Sequence, residues 1–518
     1  MSSTLTSPPT SDAHRGKRFV LNVFWNWLGV GAGLVTGLLL SPYMIKKIGL
    51  EGYGIWALSF ALAEYYWFLD LGFRSATVKF VAHYWAREEF EKVSEVVNTG
   101  ITYAGIISAV IFTAVAIGGR YVDRFFQISP DYRKSFFTLV LLVSLSWCIG
   151  VVFSLYGACL EALQRFDLYN RILVTVAVTR TAGQLILLYL GFGLVPIGIV
   201  AVSCQVLGYM LHLYYFKKVF PGYRISVRGA SVPMLKQMGS YGIHNFLGNV
   251  STQVLNQGPP ILIGHFLAAA FVGAFQIPIR LLAYTSEAVG RIGIITNSNT
   301  AELVSRGETG IIAQMAVYTN RYCVVLFMPL TLFFFAYGTR FLELWVPKAA
   351  PYSAPILPIM LSAYVIAFVG QFSSGMLLMG MARYQAYSRG LLAEAVGCVL
   401  GLIVVIPRYG IVGAAWVMGT LMILNRGLFL PWLVSRVMHF GYGWFMNSVY
   451  TPAFLTAVPV YALALWLRST ILPGTRWLEL IAIGVLISIF YYSLALVFCL
   501  PAEHRGILKG WVLRKLAR

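Results

Sequence analysis

The tetrapeptide NWLG at Asn26–Gly29 returns as NFLG at Asn245–Gly248, an offset of 219 residues. Without a gap, that offset also sets Gly54 on Gly273, Leu62 on Leu281 and Tyr65 on Tyr284. Further along, GGRYVDRFF (Gly118–Phe126) meets YGTRFLELW (Tyr337–Trp345) at 220, pairing Gly118 with Gly338, Arg120 with Arg340 and Asp123 with Glu343. Three separated clusters at nearly one offset mark an internal repeat, and a repeat decides the architecture.

What repeats is a membrane-spanning unit. The 518 residues are 58% hydrophobic and 11% charged, with a mean hydropathy of +0.75, which a soluble surface does not allow. A spanning helix needs about 20 apolar residues, and about 14 such stretches run from 19–45 to 477–499. The linkers are short, which leaves no room for a soluble catalytic domain. The expected fold is therefore all-α and polytopic.

Six spans separate the two copies. The number is even, so both run the same way through the bilayer, as parallel repeats do. The expected order is a tail (1–18), a first six-helix lobe (19–216), a basic joining loop (217–239), a second lobe (240–434), two further helices (435–499) and a basic tail (500–518). The net charge of +20 follows this topology: with the N-terminus inside, Lys and Arg fall roughly twice as often in inner loops as in outer ones. The first apolar stretch exceeds a signal-peptide core and reads as an uncleaved span. The six cysteines lie in or beside apolar stretches without CxxC spacing and read as packing residues.

IGLEGYGIWAL (Ile48–Leu58) followed by LDLGFRSA (Leu69–Ala76), within this 6+6+2 order, resembles the polysaccharide-transporter branch of the MOP (multidrug/oligosaccharidyl-lipid/polysaccharide) exporter superfamily. That branch holds the Wzx-type O-antigen flippases, with lipid II flippases and MATE drug exporters as more distant members. The resemblance implies a flippase in the bacterial cytoplasmic membrane, both termini cytoplasmic, that moves an undecaprenyl-diphosphate-linked oligosaccharide to the outer leaflet. It implies no cofactor, no metal and no nucleic acid, and it leaves glycan polymerase or ligase machinery as a possible partner.

Ionisable groups inside spans are the best functional markers, since each costs at least about 2.5 kcal/mol to insert. Arg280, Glu287 and Arg291 share one helical face; the last two read equally as an i,i+4 pair. Arg180 and Arg426 are further expected cavity cations, with Arg74 and Lys79 at the inner mouth. Glu64, Glu287 and Glu394 are the acids available to a coupling ion. Asn245, Asn249, Gln253 and Gln257 recur every four residues, a carboxamide stripe suited to a polar lumen or to tying helices together. Gly258-Pro259-Pro260 is expected to interrupt that helix, and Gly29, Gly33 and Gly37 to form a close helix contact. Residues 79–97 read as one amphipathic interfacial helix. Asp70 reads as a cap or as a partner of Arg74. Two other functions stay open: a MATE-like drug exporter, whose cavity would favour acids over arginines, and a membrane-embedded glycan polymerase or ligase, which would need an outer catalytic loop.

Overall fold

The computed structural model describes residues 12–66, 72–370, 374–381, 383–471, 473–501 and 504–506, with the side chains at 12–30, 32, 34, 120, 122, 123, 241–247, 285, 287–289, 291–295, 297, 298, 309, 369 and 384 set aside. Every regular element among them is helical. Among the described residues, eight helices are long and apolar enough to cross a bilayer, and Ala269–Tyr284 and Ile356–Phe368 are shorter apolar helices. Large apolar side chains such as Leu455, Val458, Leu478, Ile489 and Phe498 stand exposed. In water such a surface would aggregate, whereas in lipid it is the ordinary outer face.

Contacts divide the chain into two compact units, Met1–Gln253 and Val254–Arg518. The first holds α1 (Asp12–Glu64), α2 (Phe73–Ala86), α3 (Phe90–Gly118), α4 (Val122–Phe125), α5 (Pro130–Ala162), α6 (Phe166–Tyr189), α7 (Leu194–Val219) and most of α8 (Val232–Phe266). The second holds α9 (Ala269–Ser305), α10 (Thr309–Trp345), α11 (Ala350–Ser353), α12 (Ile356–Val369), α13 (Gly375–Gly380), α14 (Tyr384–Met422), α15 (Leu430–Val437), α16 (Tyr442–Thr470) and α17 (Trp477–Phe498).

The repeat is visible in the backbone of each unit. α1 breaks at Gly49, at φ 77 and ψ 171, a region that only a residue without a β-carbon enters cheaply. At the matching position Ala268 is extended (φ −61, ψ 150) and opens α9. Glu88 (φ 61) and Gly307 (φ 74) end the next helices. They are followed by Glu89 (φ −82, ψ 63) before α3 and Glu308 (φ −85, ψ 59) before α10.

One difference separates the copies. In the first, the helix ends at Glu64, Gly72 is left-handed at φ 79 and α2 starts anew at Phe73. In the second, α9 runs unbroken for 37 residues. The single amphipathic helix expected over 79–97 is likewise two elements: α2 stops at Ala86, Glu88 turns the chain, and Val93 and Val97 belong to α3. Buried Phe73, Phe80, Val93, Tyr156, Phe216 and Met238 form one cluster that binds α2, α3, α5, α7 and α8.

The loop after α7 is docked on α3. Asn98 accepts from the Tyr223 hydroxyl (2.9 Å) and the Ser226 N–H (3.2 Å) and donates to the Arg224 carbonyl (3.2 Å). Burial pushes the Tyr223 phenol above its ordinary range. In the second unit α10 is the central helix, mostly buried. Arg468 donates to the Ala336 carbonyl (2.6 Å) and Arg321 to that of Ser448 (2.7 Å), tying α16 to it.

One expectation fails locally. α8 continues through Pro259 and Pro260; inside a membrane protein, neighbouring groups take up the carbonyls that proline leaves without donors. At Gly33 no described atom lies within 4 Å of where a β-carbon would stand, whereas Gly37 is buried and Gly29 lies outside the described side chains.

Candidate functional site

Unit 1 holds a cavity of about 390 Å³ lined from five helices, with polar groups set among apolar ones such as Val143, Leu173 and Val202: Phe60 and Glu64 of α1, Arg74 of α2, Ser146, Trp147 and Ser154 of α5, Tyr169 and Arg180 of α6, and Gln205, Tyr209 and His212 of α7. Two arginines and a glutamate at this depth need either partners or water. Arg74 has partners. Its Nη2 meets Glu161 Oε1 at 2.5 Å and the Tyr169 hydroxyl at 3.3 Å, while Nη1 donates to the Ser154 carbonyl at 3.1 Å. The guanidinium carbon also lies 5.7 Å from the centre of the Tyr169 ring.

The break at Gly72 makes this possible. By restarting the helix at Phe73, the chain presents Arg74 one residue into α2, against α5 and α6. Arg74 and Glu161 remain about one-fifth exposed, at 21% and 22%. The pair is thus held by one charge-assisted contact and still reaches the cavity.

His212 and Tyr169 stack with ring centres 5.2 Å apart and planes at 21°. His212 is 6% exposed, and both of its ring nitrogens are buried without a hydrogen-bond partner.

Unit 2 has a different charged site. Arg426 meets Glu394 by two bonds, Nη2 to Oε1 at 2.9 Å and Nε to Oε2 at 3.0 Å, and Asn425 Nδ2 adds a third at 2.6 Å. The Glu394 side chain is 3% exposed. A π-helical turn, Ile423–Phe429, joins α14 to α15 and carries Asn425 and Arg426; such turns often mark functional positions in helices. Gly370 admits the turn: a β-carbon there would run into the Arg426 carbonyl. A further cavity of about 710 Å³, lined mainly by apolar residues of α16 and α17 such as Leu455, Phe490 and Phe498, holds no charged group.

The remaining expected residues fall as follows. Lys79 is exposed on α2, with Nζ 5.3 Å from the Phe80 ring centre. Gln253 donates to the Glu64 carbonyl at 2.9 Å and its carboxylate at 3.4 Å. Asn249 and Arg280 are exposed, and Gln257 is half-buried. Asn245, Glu287 and Arg291 lie on helical backbone, but their side chains are outside the described set, as is the whole of Asp70. The structure therefore gathers Arg74, Arg180 and Glu64 at one cavity and joins Arg426 to Glu394. Four residues at or beside the cavity, Glu161, Tyr169, Tyr209 and His212, escaped the sequence reading. His212 had a signal, an ionisable ring inside the apolar stretch 194–216.

A family model described as "Polysaccharide biosynthesis protein" matches residues 19–293, more than half of the chain. The uncharacterized membrane protein EpsK of Bacillus subtilis (strain 168) is 22% identical over 504 residues, covering 95% of this chain and 98% of that one. A Shigella flexneri protein named as an O-antigen transporter is 18% identical over 432 residues, covering 81% and 98%. Among solved structures, the inward closed lipid II flippase MurJ superposes with a TM-score of 0.71 at 12% identity, covering 92% of this chain and 98% of its own. An inward-facing MATE multidrug resistance transporter of the MOP superfamily gives 0.62 at 14%, covering 81% and 96%. The Shigella flexneri relative and the two solved neighbours are named as a transporter or flippase, and the solved neighbours share the all-α polytopic architecture expected from the repeat. This chain is a multi-pass membrane protein and belongs to the polysaccharide biosynthesis protein family.

Proposed function

We propose that this chain is a flippase in the bacterial cytoplasmic membrane that carries an undecaprenyl-diphosphate-linked oligosaccharide from the cytoplasmic to the outer leaflet for surface polysaccharide synthesis. The observation that carries this reading is the unit 1 cavity, which brings Arg74 and Arg180 to one space. A diphosphate needs charge-assisted contacts, which the planar guanidinium fork supplies in pairs. Trp147, Tyr169 and Tyr209 add aromatic faces for sugar rings, Gln205 adds a carboxamide for hydroxyls, and the prenyl chain stays in lipid. A space of this size suits a head group rather than a whole glycan.

Transport then proceeds by alternating access between a first lobe (19–216) and a second (240–434), joined by 217–239 and followed by the helices of 435–499, with both termini cytoplasmic. Arg280, Arg291 and the carboxamides Asn245, Asn249, Gln253 and Gln257 serve the second lobe's share of the path, and Lys79 the cytoplasmic mouth. Glu64 and Glu287 are the acids for a coupling ion, since Glu394 is closed off by Arg426 and Asn425. Polysaccharide polymerase or ligase machinery takes the product on the outer side.

The test is glycan export in a strain whose surface polysaccharide depends on this gene. Arg74→Ala combined with Arg180→Ala is expected to reduce export at least tenfold at normal protein level. Undiminished export would sink the cavity assignment, and a reconstituted chain that expels cationic drugs without moving a lipid-diphosphate glycan would establish the exporter instead.

A further inference from the structure

A buried imidazole with two idle nitrogens is uncommon, because buried polar groups are almost always hydrogen-bonded. His212 is such a group, 6% exposed, lacking a partner on both nitrogens, and a lining residue of the unit 1 cavity. The Tyr169 ring stacks on it at 5.2 Å, and the Tyr169 hydroxyl receives a bond from Arg74. The ring therefore stands one residue away from the Arg74–Glu161 pair, in the space assigned above to a diphosphate.

We propose that His212 is a proton site of this cavity, so that an anionic diphosphate bound beside Arg74 and Arg180 enters together with a proton on the imidazole. The inference rests on the diphosphate reading and adds the coupling to it. A proton on His212 puts another positive charge among two arginines, and a diphosphate brings negative charge that offsets it. Each occupant then stabilises the other, and the linkage is reciprocal. The titratable and charged groups that line this cavity or adjoin Arg74 come from five helices. Glu64 lies on α1, Arg74 on α2, Cys159 and Glu161 on α5, Tyr169 and Arg180 on α6, and Tyr209 one turn away on α7. Both carboxylates are rival proton sites. Arg74 engages Glu161 at 2.5 Å and Gln253 holds Glu64, whereas the imidazole nitrogens bond to nothing in the protein.

The experiment is calorimetric binding of a farnesyl-diphosphoryl N-acetylglucosamine to the full-length chain in nanodiscs, over a range of pH and in buffers of different ionisation enthalpy. The probe is a diphosphate diester, so it lacks the second ionisation that a phosphate monoester shows near pH 6. Wild-type protein is expected to take up close to one proton per probe bound, with affinity rising by up to about tenfold per pH unit as pH falls. His212→Gln is expected to remove the uptake and flatten the slope. Binding without pH dependence in the wild-type chain, which needs no variant to fold, overturns the linkage alone. Uptake that persists in His212→Gln overturns it too, by placing the proton elsewhere. Absence of binding at every pH overturns the diphosphate reading itself, and the linkage with it.

Discussion

Each unit carries an arginine–glutamate pair within its helical bundle, and the two are built differently. In unit 1, Arg74 meets Glu161 through Nη2 and also donates to a carbonyl and a phenol. Both partners keep about a fifth of their side-chain surface. In unit 2, Arg426 and Glu394 face each other fork to fork, an asparagine closes the set, and the acid is essentially sealed. The first pair can exchange a partner for a ligand. The second would leave a buried charge if it opened. On the reading proposed above, charge inside this membrane protein serves the transported head group at the first pair and holds helices together at the second.

The largest expected effect follows from that sealing. Removing one partner of a buried pair leaves the other uncompensated, at a cost of about 3 to 5 kcal/mol. Glu394→Ala should accordingly lose most of its folded protein, or show a correspondingly lowered unfolding midpoint in detergent. Replacing the pair together, as Glu394→Gln with Arg426→Met, keeps an acceptor for Asn425 and removes the charge. That double variant should recover at least about 2 kcal/mol of the loss, since a buried pair's net contribution is small. Equal instability of single and double variants would show that the site is held by packing and not by charge.

The next effect probes the turn that presents Arg426. Gly370→Ala places a methyl group against the Arg426 carbonyl, and overpacking of this kind costs about 1 to 3 kcal/mol. Thermal unfolding of the purified variant measures it. No change would mean that α12 moves aside freely and that the π turn is not pinned by this contact.

Much of this molecule was legible in advance, and the reason differs by feature. Apolar stretches and their spacing are composition, which a bilayer reads along the chain; the all-α class followed directly, and of about 14 stretches expected the described residues form eight spanning helices and two shorter apolar ones. Gly49 and Ala268 show how well the repeat's offset carries over to backbone geometry. Arg180 stood out because ionisable residues in apolar surroundings are conspicuous, whereas Arg74 was expected at the inner mouth and lines the same cavity. Their surroundings were not legible, since Glu161 lies 87 positions from Arg74 on another helix and sits at the end of its own apolar run. The π turn at Ile423–Phe429 leaves no mark in an apolar sequence, because an extra residue per turn changes hydrogen bonding and not hydropathy. The continuity of α8 through two prolines was hidden for a related reason, that local propensity yields where surrounding helices satisfy the backbone.

The smallest effect isolates burial from distance. Arg306 and Glu302 lie 2.5 Å apart, as close as Arg74 and Glu161, yet their side chains are 61% and 60% exposed. Such a pair, four residues apart on one helix end, contributes about 0.3 to 0.5 kcal/mol before screening by salt. Arg306→Ala should therefore leave unfolding midpoint and glycan export within error of the wild type, and added salt should erase what difference remains. A loss comparable to that of Glu394→Ala would mean that Arg306 meets something more than Glu302 in the working protein. Equal distances with unequal consequences would locate the difference between the pairs in what water is allowed to reach.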